Sequence, residues 1–227
     1  MNRSRVLPVA VSLTAAAALL LTGCGGGDKK DPGNDKIAGA DTGSAKKSAS
    51  PSGQATSQAP DIKRPDMKFP ADVNLLFDKT DLTDADQAAA LVDAQNFVRA
   101  VMFGVVKQDA DNAAYKFYSE FQSPAQSYAK EQIQKSIDAG LTVTGDSRYT
   151  GAKVQTVKSA KTAVVTFCSN DSKFYSREVK SRKVHTTEES VSDYAFWQIG
   201  MVPSSSTDGL WRAKEIKVQG EAAQCRG

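Results

Sequence analysis

Few residues in this 227-residue chain have the type and spacing to carry chemistry. His185 is the single histidine. One imidazole excludes an H-E-x-x-H zinc site and any two-histidine metal centre, and no metal or cofactor is expected. A Ser-His-Asp arrangement would have to use His185, which follows the basic run Lys180 to Lys183, and no G-x-S-x-G precedes it. An exposed loop histidine is the expectation. Gly25-Gly26-Gly27 lacks the Gly-Lys-Ser/Thr ending and the preceding strand of a phosphate-binding loop. The cysteines, Cys24, Cys168 and Cys225, form no C-x-x-C pair, so thioredoxin-type exchange is not expected. Lys173, Arg177, Lys180, Arg182 and Lys183 could meet phosphate, a teichoic-type polyanion or lipid headgroups. Glu178, Glu188 and Glu189 flank that run, and a solvated hairpin is the favoured reading.

Cys24 has the most specific surroundings. Met1 to Arg5 carries Arg3 and Arg5 without an acid, and Val6 to Leu21 is mostly Val, Ala and Leu. A basic start, an apolar run and small residues read as a secretory signal. The run is broken by Pro8, Ser12 and Thr14 and is shorter than the roughly 20 residues that span a bilayer. Leu21-Thr22-Gly23-Cys24 resembles the bacterial lipobox. That resemblance implies cleavage after Gly23, a diacylglyceryl group on the Cys24 sulfur, and a protein held at the extracellular face of the cell membrane. The alternative is a plain secretory signal that contains a cysteine. Each buried methylene contributes about 0.8 kcal/mol, so two chains on one residue suit firm attachment. With Cys24 lipidated, Cys168 and Cys225 remain. An exported chain meets oxidising conditions, and an even remainder points to one disulfide, with free thiols or bonds to other chains as alternatives.

The chain divides into residues 1–23 (signal), 24–70 (lipidated cysteine and tether) and 71–227 (one folded domain). Between Gly25 and Pro70 the composition is Gly, Ser, Ala, Asp, Lys and Pro, with Phe69 the sole aromatic. Such a stretch cannot bury enough apolar surface to offset its chain entropy and is read as a disordered tether. The whole chain has a formal charge of +3, but residues 71–227 hold 19 Lys and Arg against 20 Asp and Glu. A near-neutral domain is not that of a nucleic-acid binder.

Helices are expected first. Thr83 is placed as a cap before Asp84 and Asp86, and Leu91, Ala94, Val98, Val101 and Val105 follow helical spacing to about Val106. A shorter helix is expected from Asp109, with Phe117 and Tyr118 turned inward. A third starts at Ser123-Pro124 and stops at Gly140. Strands follow. Leu141 to Thr144 and Lys153 to Val157 read as an opening strand or a broken pair, and Thr162 to Cys168 as a second strand. Asn170-Asp171-Ser172 reads as a turn before Lys173 to Val179. Ser192 to Met201 carries Tyr194, Phe196, Trp197 and Ile199, apolar on both faces, as a strand flanking a cavity would be. Asp208-Gly209 signals a hairpin to a last strand, Leu210 to Val218. Helices and then antiparallel strands make an α+β class.

That order resembles the NTF2-like superfamily, an α+β cone with N-terminal helices packed on a curved antiparallel sheet. Ala163 to Cys168, Asp171-Ser172, the basic hairpin Arg177 to Val184, Gly209-Leu210-Trp211 and the terminal Cys225 resemble small secreted NTF2-like lipoproteins of Gram-positive bacteria. The resemblance implies a Cys168–Cys225 pairing like the one reached by counting. It also implies a cone cavity, for which Asp171, Tyr175, Tyr194 and Trp197 are the candidate residues. Some cone relatives move protons with a buried Asp and a Tyr or Asp donor, and Asp171, Tyr175, Asp193 and Tyr194 are the acids and phenols near strands here. The expected function is a non-catalytic module that binds a small ligand or an envelope protein, and dimerisation through the sheet is an option. The alternatives are an isomerase- or dehydratase-type enzyme in the cone and a structural spacer near wall-building machinery. Mass analysis of the mature amino terminus is expected to find a diacylglyceryl-modified Cys24 as its first residue; an unmodified Cys24 would overturn the anchor.

Overall fold

The computed structural model describes residues 62–157 and 161–226. The signal, Cys24 and the tether as far as residue 61 lie outside the described residues. Strand β1 (Val73–Phe77) leads into helices α1 (Ala85–Lys107), α2 (Ala113–Tyr118) and α3 (Pro124–Asp138). Strands β2 (Leu141–Val157), β3 (Thr162–Glu178), β4 (Val184–His185), β5 (Tyr194–Pro203) and β6 (Trp211–Gln219) follow. They form one sheet in the order β1-β2-β3-β5-β6, with β4 paired to the far end of β3. The helices cover one face of the curved sheet, which makes the α+β arrangement expected from sequence.

The helix boundaries follow from capping. The Asp84 carboxylate accepts from the Gln87 N–H, so the cap sits one residue after the Thr83 expected from sequence. Asn112, not Asp109, caps α2. Ser123 caps α3 with Pro124 behind it, as expected, because proline has no N–H to leave unpaired in the first turn. Gly140 ends α3 with φ +66°, a left-handed conformation that glycine adopts without a Cβ clash. Along α1, Ala90, Ala94, Phe97, Val98, Val101 and Val105 are buried and face the sheet. Gly104 lets Ile133 of α3 pack directly on α1, since a Cβ there would lie 2.3 Å from Ile133 Cδ1.

Three features differ from the sequence expectation. First, β2 is one strand, and so is β3, which runs straight through Asn170-Asp171-Ser172. Bulges absorb the polar and glycine residues that looked like breaks. Asp146 pairs with Lys173 and Arg148 with Asn170, so Asp171 and Ser172 both stand opposite Ser147. Thr150 pairs with Cys168 and Lys153 with Thr166, so Gly151 and Ala152 stand opposite Phe167. Such bulges bend a strand and raise its twist, which curves the sheet around the helices. Second, the sheet is antiparallel except at its edge, where β1 runs parallel to β2. Third, the packed part begins before residue 71. Ile62, Met67 and Phe69 rest on the core, and the Phe69 and Phe103 rings meet edge to face at 5.7 Å.

Arg64 explains why this amino-terminal stretch holds. Its guanidinium pairs with Asp93 of α1 and lies 5.9 Å from the Tyr118 ring. Asp93 is fully buried and also accepts the Trp211 backbone N–H at 2.9 Å. At the other end of the chain, Cys168 and Cys225 form a disulfide with Cα atoms 5.3 Å apart, pinning the carboxyl-terminal turn to β3. Burial holds the Asp93 carboxyl above the ordinary carboxylate range, against the pull of Arg64 and the Trp211 N–H. A raised folded pKa gives stability that is present while the group is protonated and lost as pH rises through that pKa. Arg64→Met is expected to cost about 3 kcal/mol at neutral pH, because the buried carboxylate loses its counter-charge. The deficit is expected to shrink as pH falls through the Asp93 titration, which urea unfolding at neutral and mildly acidic pH measures.

Candidate functional site

The inward-facing side chains of the sheet build the site. Phe167, Ser169 and Asp171 alternate along β3, and Ser147 and Tyr149 alternate along β2 opposite them. The deep end of the cone is filled. Phe77 stacks on Tyr149 with ring centroids 4.3 Å apart, and Phe167 stacks on Trp197 at 6.0 Å. The Trp197 indole N–H donates to Ser169 Oγ at 3.1 Å, which satisfies both groups inside the core.

Towards the mouth, between α1, α3 and the β2–β3 end of the sheet, a cavity of about 290 Å³ remains open. Its apolar wall includes Val101, Val105, Val143 and Phe174, with Tyr128 and Trp197 as aromatic sides. Asp171 is its only carboxyl. The β3 bulge sets that carboxyl in place. It gives the strand one residue more than its partner, so Asp171 keeps the inward register and comes within 2.5 Å of the Ser147 hydroxyl. Gly145 makes the neighbouring approach possible, with φ +101° and a position where a Cβ would fall 2.1 Å from the Lys173 carbonyl oxygen.

Burial pushes the Asp171 carboxyl above its ordinary range, the charge of Asp193 adds to the rise, and the Ser147 hydrogen bond opposes it. Burial pushes the Tyr128 phenol up to about 12. Burial also raises Tyr149, with Asp171 raising it further and Ser147 opposing. Ser147 therefore stands between a carboxyl and a phenol. These groups stay neutral more readily than they would in water, because a low-dielectric surround penalises charge.

Of the residues expected from sequence, Asp171, Tyr175 and Trp197 line one cavity. Tyr194 does not. It pairs with Asn170 while Trp197 pairs with Phe167, so the two lie three positions apart on the strand and Tyr194 faces the opposite side. There its hydroxyl donates to Glu189 at 2.6 Å. His185 is exposed, with Nε2 3.0 Å from Glu178 Oε1, and contributes to no site. The basic run is divided, since Arg177 is buried and pairs with Asp72. Sequence reading passed over Ser147 and Tyr149. The signal was the alternation Val143, Gly145, Ser147, Tyr149, hidden because two glycines made the stretch resemble two short pieces.

No family model matches this chain, and no curated protein matches it. Among solved structures, Aln2 from a Streptomyces species aligns over 60% of this chain and 93% of its own, at 10% identity and a TM-score of 0.40. A protein from Catenulispora acidiphila covers 61% of this chain and 96% of its own, at 12% identity and a TM-score of 0.37. A protein from Shewanella frigidimarina, provisionally named a ketosteroid isomerase, covers 59% and 97%, at 12% identity and a TM-score of 0.33. Likeness of this degree carries no argument about activity. The α+β architecture stands on the strand order and helix packing described above. The role of Ser147 is open to direct measurement. Ser147→Ala is expected to raise the Asp171 titration midpoint further, because the ionised carboxyl loses the hydrogen bond that favours it. Carboxyl-carbon NMR reads that midpoint, and an unchanged value would remove Ser147 from the site.

Proposed function

We propose that this protein is a lipid-anchored module at the outer face of the cell membrane, whose cone binds a small, mostly apolar ligand without transforming it. The anchor follows from the secretory signal and from Leu21-Thr22-Gly23-Cys24, and the near-neutral domain leaves the lipid as the source of membrane residence. The cavity carries the binding part of the reading. It combines apolar walls with a few polar groups, Gln132, Ser136, Ser176 and the single carboxyl Asp171, which is the usual make-up of a small-molecule site. Its 290 Å³ lies near the lower end of the size range for such sites, roughly 300 Å³ upward.

Binding is favoured over proton transfer by what surrounds Asp171. Among the described residues, Ser147 supplies the one side-chain hydrogen bond to its carboxyl. Among the described residues no second carboxyl or phenol meets it at hydrogen-bonding distance, the geometry an acid–base pair needs. Calorimetric titration with 2-naphthol, a small neutral aromatic, is expected to show saturable one-site binding. Ser136→Trp, which places a large ring at the cavity wall on α3, is expected to abolish it. Absence of binding to the parent protein, or equal binding to the filled variant, would sink the cavity as the site.

A further inference from the structure

A lone carboxyl among aromatic walls has a chemical preference. The rings of Tyr128 and Trp197 meet edge to face at 6.4 Å and 85°, and they form one corner of the cavity that Asp171 lines. Tyr175 and the thioether of Met102 stand beside them. No lysine or arginine lines the cavity. Ser147 occupies Oδ1 of Asp171, and among the described residues no donor reaches Oδ2. That oxygen is not sealed inside protein either, since it is absent from the enclosed atoms without partners.

The charges around Asp171 point the same way. From β2 it faces Ser147 and Tyr149, from α3 Tyr128, from β3 itself Tyr175, and from the turn before β5 the second carboxylate of Asp193. Arg99 of α1 lies over the Phe77 ring at 4.6 Å and acts on Tyr149, not on Asp171. The cavity thus has acceptor charge and ring faces but no positive group of its own.

We propose that the cone selects a small organic cation, an ammonium head on an apolar body, with the head between Asp171 Oδ2 and the rings of Tyr128 and Trp197. This rests on the binding reading above and names its ligand class. A cation entering a water-poor pocket regains Coulomb energy from the carboxylate and from the negative faces of the rings. A neutral ligand of the same shape gains only the apolar contact, and an anion is repelled. In the empty cavity burial makes Asp171 keep its proton to higher pH than an exposed carboxyl does. A fixed positive charge favours the ionised form, so binding expels a proton. Affinity then rises with pH through the Asp171 titration of the free protein and levels above it.

Benzyltrimethylammonium tests this, since its charge does not titrate. In calorimetric titrations of the purified protein it is expected to bind with an affinity that climbs with pH. Asp171→Asn is expected to lower that affinity by about tenfold or more and to flatten its pH dependence. The near-ultraviolet circular dichroism of Tyr128 and Trp197 is expected to be the same in this variant and the parent, which shows that the cavity walls are intact. Binding of 2-naphthol without binding of the cation would overturn the cation preference and leave the cavity reading standing. So would equal cation affinity in the parent and the Asn variant, or a parent affinity that ignores pH. Failure of both probes would overturn the cavity reading itself.

Discussion

Asp93 is the constraint on which the rest of this structure depends. A carboxyl buried in the sheet-facing side of a core helix is costly unless its oxygens are used. Here one oxygen holds Arg64 and the other holds the backbone N–H of Trp211. Three segments far apart in sequence are thereby fixed at one point: the stretch before β1, the middle of α1 and the start of β6. The registry is narrow, because a backbone N–H and a guanidinium must both reach the same group. With α1 and β6 locked together, the helical layer has a defined height over the sheet. Arg64 also brings Ile62, Met67 and Phe69 against the core, which closes a side of the domain that β1 alone would leave open.

The sheet then decides where empty space is left. Flat strands of 17 residues, the length of both β2 and β3, would splay away from a helical layer. The bulges at Gly151-Ala152 and at Asp171-Ser172 bend them instead. The first lies opposite Phe167, where aromatic rings fill the bend. The second lies nearer the mouth, and there the filling stops. The same irregularity that curves the sheet therefore holds the one carboxyl of the cavity in its inward position. Curvature and site are two results of a single extra residue.

The outer face of the sheet is handled separately. Cys168 points there, one residue from the inward Phe167, and its bond to Cys225 folds the carboxyl terminus over that face. Tyr194 is buried there with its hydroxyl on the exposed Glu189, and Arg226 comes within 3.9 Å of Glu189. This explains how a tyrosine can be buried on a strand and yet stand away from the cavity. Burial on a two-sided sheet does not say which side has been covered.

The sequence by itself determined the class of each long element and much of the charge logic. Helical spacing in α1, the Ser123-Pro124 start and the Asp208-Gly209 hairpin were legible because capping, proline geometry and turn preference act over a few residues. The pairing of Cys168 with Cys225 was legible by counting once Cys24 was assigned to lipid. Asp171 and Trp197 were legible as pocket residues, although Asn170-Asp171-Ser172 looked like a turn. Only the tertiary structure decided that this tripeptide is a bulge, since a bulge is defined by the partner strand, and the partner lies 24 residues away at Ser147. The tertiary structure also assigned Tyr194 to the outer face and brought Ser147 and Tyr149 to the site. It alone made Asp93 a structural hub, since the groups that permit its burial come from Arg64 and Trp211, distant in the chain and joined only by the fold.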